Sequence, residues 1–411
     1  MKVAVVGSGV SGLVAARALA RQGHHVAIFE SAARAGGHVY TFDAGGVGVD
    51  MGFIVMNREN YPHLTQLFAE LGVATRPTTM SFSVSAGGLE WGSASLRAVF
   101  AQRARLASMR HWRFLGAVLS FLRAARADLG GDLAHRASLD DYLAARRVPA
   151  DVRELFVVPL AAALWSLAPE RCGEFPAETY LRFLANHGML RPVRPLDWRT
   201  VIGGSHRYVA QLLAELRAPV RLSSAVETIA RDKTGVTIVV GGRESRFDRA
   251  IVATHADTAL RLLAQPSDDE REILGAFRYS SNETVLHTDE SFLPSAARAR
   301  ASWNVVADAD PTRVAVTYSM DRLMGLDRPY LVTLNPRRAP AGELHRVRFD
   351  HPQFDRAALD AQAAMPRISG VARVYYAGAH LGFGFHEDGA RTGLAAAARL
   401  AADAQLAGEA A

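Results

Sequence analysis

The chain has 411 residues, 49% of them apolar and 21% charged, which excludes a disordered or fibrous protein and exceeds what one core usually holds, so two domains are expected. The net charge of +6 is carried by arginine, Lys2 and Lys233 being the only lysines, and no nucleic-acid-binding motif accompanies it, so no nucleic-acid partner is expected. A single cysteine, Cys172, excludes an intrachain disulfide or a cysteine-based metal site and fits a reducing cytoplasm, while apolar runs such as Val157 to Leu164 are far short of a membrane span.

Lys2 to Val6 reads as a strand, Gly7-Ser8-Gly9-Val10-Ser11-Gly12 as a glycine turn, Leu13 to Arg21 as a helix, and Val26 to Phe29 as a second strand ending at Glu30. This is the order of a dinucleotide-binding βαβ unit. Gly7 permits the turn, Gly9 lets the backbone approach a pyrophosphate, and Gly12 lets the helix pack on its strand. The helix N-terminus offers N–H groups to phosphate. Glu30, eighteen residues past Gly12, suits the adenosine ribose hydroxyls. The same register explains Met1 to Ala20 better than a secretory leader does. A second glycine pair follows in Arg34-Ala35-Gly36-Gly37-His38, and Gly45 to Phe53 reads GGVGVDMGF. More backbone can then lie along an extended cofactor, which favours FAD over NAD, and Glu30 would repel a 2′-phosphate.

Farther along, Tyr61 to Leu71 is expected to be helical, and Met80–Val84 and Leu89–Trp91 to form a hairpin. Leu96 to Leu129 reads as a helical stretch rich in arginine and aromatic residues, suited either to anionic lipid headgroups or to solvent over an apolar tunnel. Leu139 to Leu184 is helical with breaks at Pro149, Pro159, Pro169 and Pro176. A helix over Tyr208 to Arg217 is followed by strands at 220–222, 226–231, 236–240 and 249–254, with a hairpin turn at Lys233-Thr234-Gly235. Strands including 283–287 and 314–318 lie between 266 and 349. The chain ends in a strand at Val374–Ala377, a glycine-rich turn and a helix from Gly389 to Ala402.

The order of ribose acid, R-x-G-G and D-x-G resembles the flavin-dependent amine oxidase superfamily. Asn57 with Tyr61-Pro62, Asn186-His187-Gly188, Trp198-Arg199-Thr200-Val201, Tyr279-Ser280-Ser281-Asn282, Leu286-His287-Thr288-Asp289, Thr333-Leu334-Asn335-Pro336 and Gly382-Phe383-Gly384-Phe385-His386-Glu387-Asp388-Gly389 narrow the likeness. Together they resemble bacterial NAD/FAD-binding oxidoreductases that accompany cyclopropane-fatty-acid-synthase-like methyltransferases, and the N-terminal domain of plant cyclopropane fatty-acid synthases. The resemblance implies an α/β fold: a Rossmann-like FAD-binding domain of the glutathione-reductase and amine-oxidase type over 1–75, 196–265 and 350–411, interleaved with an α+β substrate domain over 76–195 and 266–349. It further implies an FAD enzyme, or an FAD-holding partner of a lipid methyltransferase, acting on a hydrophobic or acyl-lipid substrate; peripheral contact with a membrane is left open beside the cytoplasmic expectation.

On this reading Gly7, Ser8, Gly9, Ser11, Gly12, Glu30, Ser31, Gly36, Gly37, His38, Val226, Gly378, Ala379, Glu387, Asp388 and Gly389 hold the cofactor. Two departures stand out. Ala379 and His380 follow Gly378 where many relatives carry an acid for the ribityl chain, which leaves Asp388 as the substitute. His38 stands where many relatives have a basic residue. Tyr279, His287, His386 and Glu387 are the candidates for proton transfer or substrate orientation; for Tyr279 and His287 the competing reading is a satisfied core network. Neither lysine is placed to reach a flavin ring, which disfavours a lysine-assisted amine oxidase. Oxidation, double-bond isomerisation and a non-catalytic role beside a methyltransferase all remain open, and no metal site is expected.

Overall fold

The computed structural model describes residues 1–165, 169–190, 196–216, 218–307 and 314–409. At its centre a five-stranded parallel sheet runs in the order Val220–Arg221, His25–Phe29, Lys2–Val6, Arg249–Val252, Val374–Tyr376. Its strands are apolar on both faces because both are covered. Val3, Val5, Ile28, Ile251 and Tyr375 enter one core with the helices Val10–Arg21, His206–Glu215 and His386–Glu409. Their neighbours Ala4, Val6, Phe29, Val252 and Tyr376 enter another core. That second core also takes residues from the helices Ala256–Leu262, Asp268–Gly275 and Arg356–Ala364 and from a three-stranded antiparallel sheet.

A second sheet of seven strands has the order His345–Gln353, Arg278–His287, Leu331–Leu334, Val314–Ser319, Trp303–Ala307, Phe82–Ala86, Leu89–Gly92. It is antiparallel except where Trp303–Ala307 runs parallel to Phe82–Ala86. Phe82, Val84, Trp303 and Val305 pack in one core with Phe114, Phe121, Phe156, Tyr180 and Phe183 from the helical region. The α/β class and the parallel sheet match expectation.

Several elements differ in detail. The stretch from Leu96 is not one helix: Leu96–Val99, a 3-10 turn at Arg103–Ala107 and Met109–Ala127 follow in turn, and the side chains of Ser95 and Ser108 cap the two α-helices. Pro159 does not break its helix, because a π-helical turn at Arg153–Val157 directly precedes Val158–Trp165. The strand Arg243–Phe247 has no counterpart in the expectations; its polar, charged sequence hides it. The final helix starts at His386, three residues early, and the helix expected to reach Arg217 ends at Glu215, residue 217 lying outside the described residues.

Candidate active site

A cavity of about 900 Å³ runs from the glycine turn at the carboxyl end of Lys2–Val6 to the face of the seven-stranded sheet. At one end Gly7 turns with φ +100°, and a Cβ there would meet the Ala253 carbonyl oxygen at 2.6 Å. A Cβ on Gly12 would stand 2.0 Å from the Gly7 carbonyl oxygen, so helix and strand touch backbone to backbone. A Cβ on Gly9 would find nothing within 4 Å, which leaves its backbone open to the cavity. The helix opens with Leu13 N–H donating to the Gly9 carbonyl at 3.0 Å. Glu30 sits at the lip, its carboxylate accepting from Ser8 N–H at 2.9 Å and from the Ser8 hydroxyl at 2.6 Å. The second glycine pair folds onto the first, with Gly36 N–H donating to Ser8 C=O at 2.9 Å. Arg34 holds that loop, donating to the carbonyls of Val39 and Gly37 at 2.9 and 2.8 Å.

These residues fit the adenosine and pyrophosphate half of FAD: a backbone stripped of Cβ atoms, helix amides at the first turn, and a carboxylate held in place for two hydroxyls. Ser11, Ser31, Val226, Gly378 and Ala379 line the same cavity, as expected.

The middle is walled by imidazoles. His38 donates through Nε2 to the Asp350 carbonyl at 3.2 Å and stacks on Phe349. His255 stacks on Tyr279, ring centroids 4.3 Å apart. His386 stacks on Phe53 with centroids 4.1 Å apart, and its Nε2 hydrogen-bonds the Tyr208 hydroxyl. Loss of water pushes His38, His380 and His386 down to about 3 and His351 to about 4, so all four are neutral at ordinary pH.

The far end is an aromatic and aliphatic chamber that includes Met80, Phe183, His187, Trp198, Trp303, Tyr318, Val332, Leu334 and Phe385. His187 closes the helix Ala177–Asn186 and stacks on Phe183, centroids 3.7 Å apart. Its Nδ1 lies 3.0 Å from the Phe183 carbonyl oxygen. A carbonyl can only accept, so Nδ1 carries the proton and Nε2 holds a lone pair. Burial lowers its pKa to about 4. Burial raises the Tyr318 hydroxyl to about 12, and the Trp303 indole N–H is buried without a hydrogen-bond partner among the described residues. Among the described residues the carboxylates lining the cavity are Glu30 and the exposed Asp350, and no lysine lines it.

Four of the expected site residues are placed elsewhere. His287 is fully buried outside the cavity, bonded through Nε2 to Thr333 at 2.7 Å and accepting at Nδ1 from Asp289 N–H at 3.1 Å, and so belongs to a satisfied core network rather than to the chemistry. Glu387 spends both oxygens on the first turn of the helix Pro62–Leu71, accepting from the amides of His63 and Leu64 at 2.9 and 3.0 Å and from His63 Nδ1 at 2.6 Å. Asp388 accepts from the amides of Phe383 and Phe385 at 2.9 and 3.1 Å, shaping the glycine-rich turn instead of facing the cavity. Gly389 does not line it either: a Cβ there would meet Val10 Cγ1 at 2.5 Å, so its smallness serves helix–helix contact. Gly12 likewise acts through packing. Tyr279 does line the cavity, but its hydroxyl accepts from Ala256 N–H at 2.9 Å at the start of a helix. Cys172 is buried away from the cavity. His187, Trp303 and Tyr318 carried no chemical role in the sequence analysis, where His187 counted only as part of Asn186-His187-Gly188, and only the fold brings them together.

Comparison with known proteins agrees with this geometry. AofH of Mycobacterium tuberculosis, provisionally named a flavin-containing monoamine oxidase, is 30% identical over 261 residues, 61% of this chain and 56% of that protein. The chain therefore spans little more than half the length of that relative. Among solved structures, cyclohexylamine oxidase from Brevibacterium oxydans superposes with a TM-score of 0.73 at 18% identity, covering 98% of this chain and 99% of its own. A conjugated-linoleic-acid-producing fatty acid isomerase from P. acnes superposes equally well, TM-score 0.73 at 15% identity, over 97% and 98%. These likenesses concern the fold. The family described as flavin containing amine oxidoreductase matches residues 10–315, well over half of the chain, and the protein belongs to that family, whose cofactor is FAD.

Proposed function

We propose that this flavoenzyme acts on a C–H bond of a fatty-acyl or other lipid-like substrate. The observation that carries the reading is the chamber at the far end of the cavity. It is built of aromatic and aliphatic side chains, its imidazole is neutral, and among the described residues neither a lysine nor a carboxylate stands in it. Burying an ammonium there would leave it without a counter-ion, whereas an acyl chain matches the wall. The glycine turns, Glu30 and the helix N-termini would hold the cofactor; when bound, FAD supplies a two-electron acceptor for hydride. His187 offers Nε2 as acceptor for the companion proton. Tyr318 offers an O–H that orients one polar atom of an otherwise apolar ligand. The surrounding rings exclude water. The expected setting is the cytoplasm, with a lipid methyltransferase as partner in the same modification, as the resemblance to cyclopropane-fatty-acid-synthase neighbours implies.

A redox-neutral double-bond isomerase is the second reading, supported by the equal fit of the fold to a fatty acid isomerase. Anaerobic mixing of the FAD-loaded protein with unsaturated and methyl-branched fatty acids separates the two. Lasting loss of the flavin's visible absorbance means oxidation; a moved double bond with the flavin still yellow means isomerisation. Failure of every lipid to do either, with co-purification of a methyltransferase, would leave a non-catalytic partner role. Peroxide release from simple amines would instead make the protein an amine oxidase.

A further inference from the structure

Between Glu90 and Asp128 there is no acidic residue and there are seven arginines, more than the whole net charge of +6, so the remainder of the chain is close to neutral. The basicity is therefore a local property and not a background of arginine. None of the seven has a carboxylate within ion-pair distance among the described residues, although about half of the other arginines do. The same segment carries Leu96, Leu106, Met109, Trp112 and Leu119, which are 46% to 79% exposed.

The two sets share one surface. On the helix Met109–Ala127, His111, Phe114, Val118, Phe121 and Ala125 are buried. Met109, Trp112, Arg113, Leu119, Arg123 and Arg126 fall on the opposite stripe at three- and four-residue spacing. Trp112 is fixed there, its indole N–H donating to the Leu106 carbonyl at 2.9 Å and its ring 4.8 Å from that of Phe100. A large apolar patch held rigidly in water among unpaired cations matches the boundary of an anionic bilayer, with guanidinium groups at the phosphates and Trp, Leu and Met at the acyl border. Duplex nucleic acid would satisfy the arginines but leave the apolar side chains without a counterpart. Inward, Phe114 and Phe121 share a core with Phe183 and Trp303 of the chamber.

We infer that residues 96–126 form a docking surface for anionic phospholipid bilayers. The inference goes beyond the substrate assignment and is tested without turnover. The FAD-loaded full chain is floated with vesicles of phosphatidylcholine alone or mixed with phosphatidylglycerol. It should float with the anionic vesicles only, and less at raised salt. Arg113→Gln/Arg123→Gln/Arg126→Gln should weaken that binding by roughly a hundredfold, about fivefold per arginine. Met109→Ser/Leu119→Ser should weaken it by about tenfold at unchanged charge. Retained flavin absorbance reports that each variant is folded, and if one is not, the lipid and salt dependence of the unaltered protein still decides. No flotation with anionic vesicles overturns the inference, as does equal flotation of both variants. Duplex DNA bound by the Met109→Ser/Leu119→Ser protein as well as by the unaltered one, and displacing the vesicles, would assign the surface to nucleic acid instead.

Discussion

At the scale of single residues, the cofactor end of the cavity is held by what is missing as much as by what is present. Gly12 is the sharpest case. A methyl group there has to displace the Gly7 carbonyl from 2.0 Å, and that carbonyl belongs to the turn that receives the pyrophosphate. Gly12→Ala should therefore yield protein with little bound flavin and a stability loss of about 1–3 kcal/mol from overpacking, read as the ratio of flavin absorbance to protein. Gly9→Ala provides the contrast: free of any neighbour, its Cβ costs the empty fold little but stands where the cofactor passes, so flavin should fall while stability holds. His187 is the residue-scale bet of the other end. His187→Phe keeps the ring packing on Phe183 and removes the Nε2 lone pair, so kcat should fall by about 10²–10⁴-fold with flavin content unchanged. Unchanged kcat would remove the imidazole from proton transfer and leave it a wall.

Elements show where sequence reasoning reaches and where it stops. The first βαβ unit was legible in full, because Gly7 and Gly12 answer local steric demands and the strands are buried on both faces. The Gly382–Gly389 motif was legible as important but not in its role. Its acids look catalytic in one dimension; in three, Glu387 reaches across to a helix more than three hundred residues earlier and Asp388 folds back on its own turn. No local signal marks such a partner. The same blindness hid Tyr318 and Trp303, which pair across adjacent strands of the second sheet. It also placed His287 in the site, since an imidazole on a strand reads alike whether it faces a cavity or a threonine. Glu387→Ala tests the corrected role. The first-turn amides of Pro62–Leu71 lose their acceptor, so denaturant unfolding should show a loss of about 1–2 kcal/mol, with kcat per bound flavin unchanged. A fall in kcat at full stability would return Glu387 to the chemistry.

For the molecule as a whole, neutral imidazoles, five around the cavity and His287 outside it, couple stability to pH. His38, His187, His287, His351, His380 and His386 are all held at about 3 to 4 by burial, against an ordinary value of 6.5. Each is depressed in the folded state, so the unfolded chain binds more protons as pH falls below 6.5, and the stability these groups contribute is complete above that value and drains as pH drops toward 4. Asp50 acts in the opposite sense. Buried, and bonded to Thr41 and Ser205, it is pushed up to about 6, so its folded form takes up a proton first and offsets one histidine between 6 and its ordinary 3.8. Six groups against Asp50 and Asp388, whose carboxyl burial also raises, fix the sign: each histidine adds a slope of at most about 1.4 kcal/mol per pH unit. The FAD-loaded protein should therefore melt at progressively lower temperature on acidification through the window between the two histidine values, at constant ionic strength. His287→Asn offers an internal control away from the cofactor, since it removes one titrating group and should make the curve shallower even where the flavin shields the rest. A melting temperature that stays level across that window would mean the imidazoles keep water in the folded state, and the dry cavity on which the lipid reading depends would go with it.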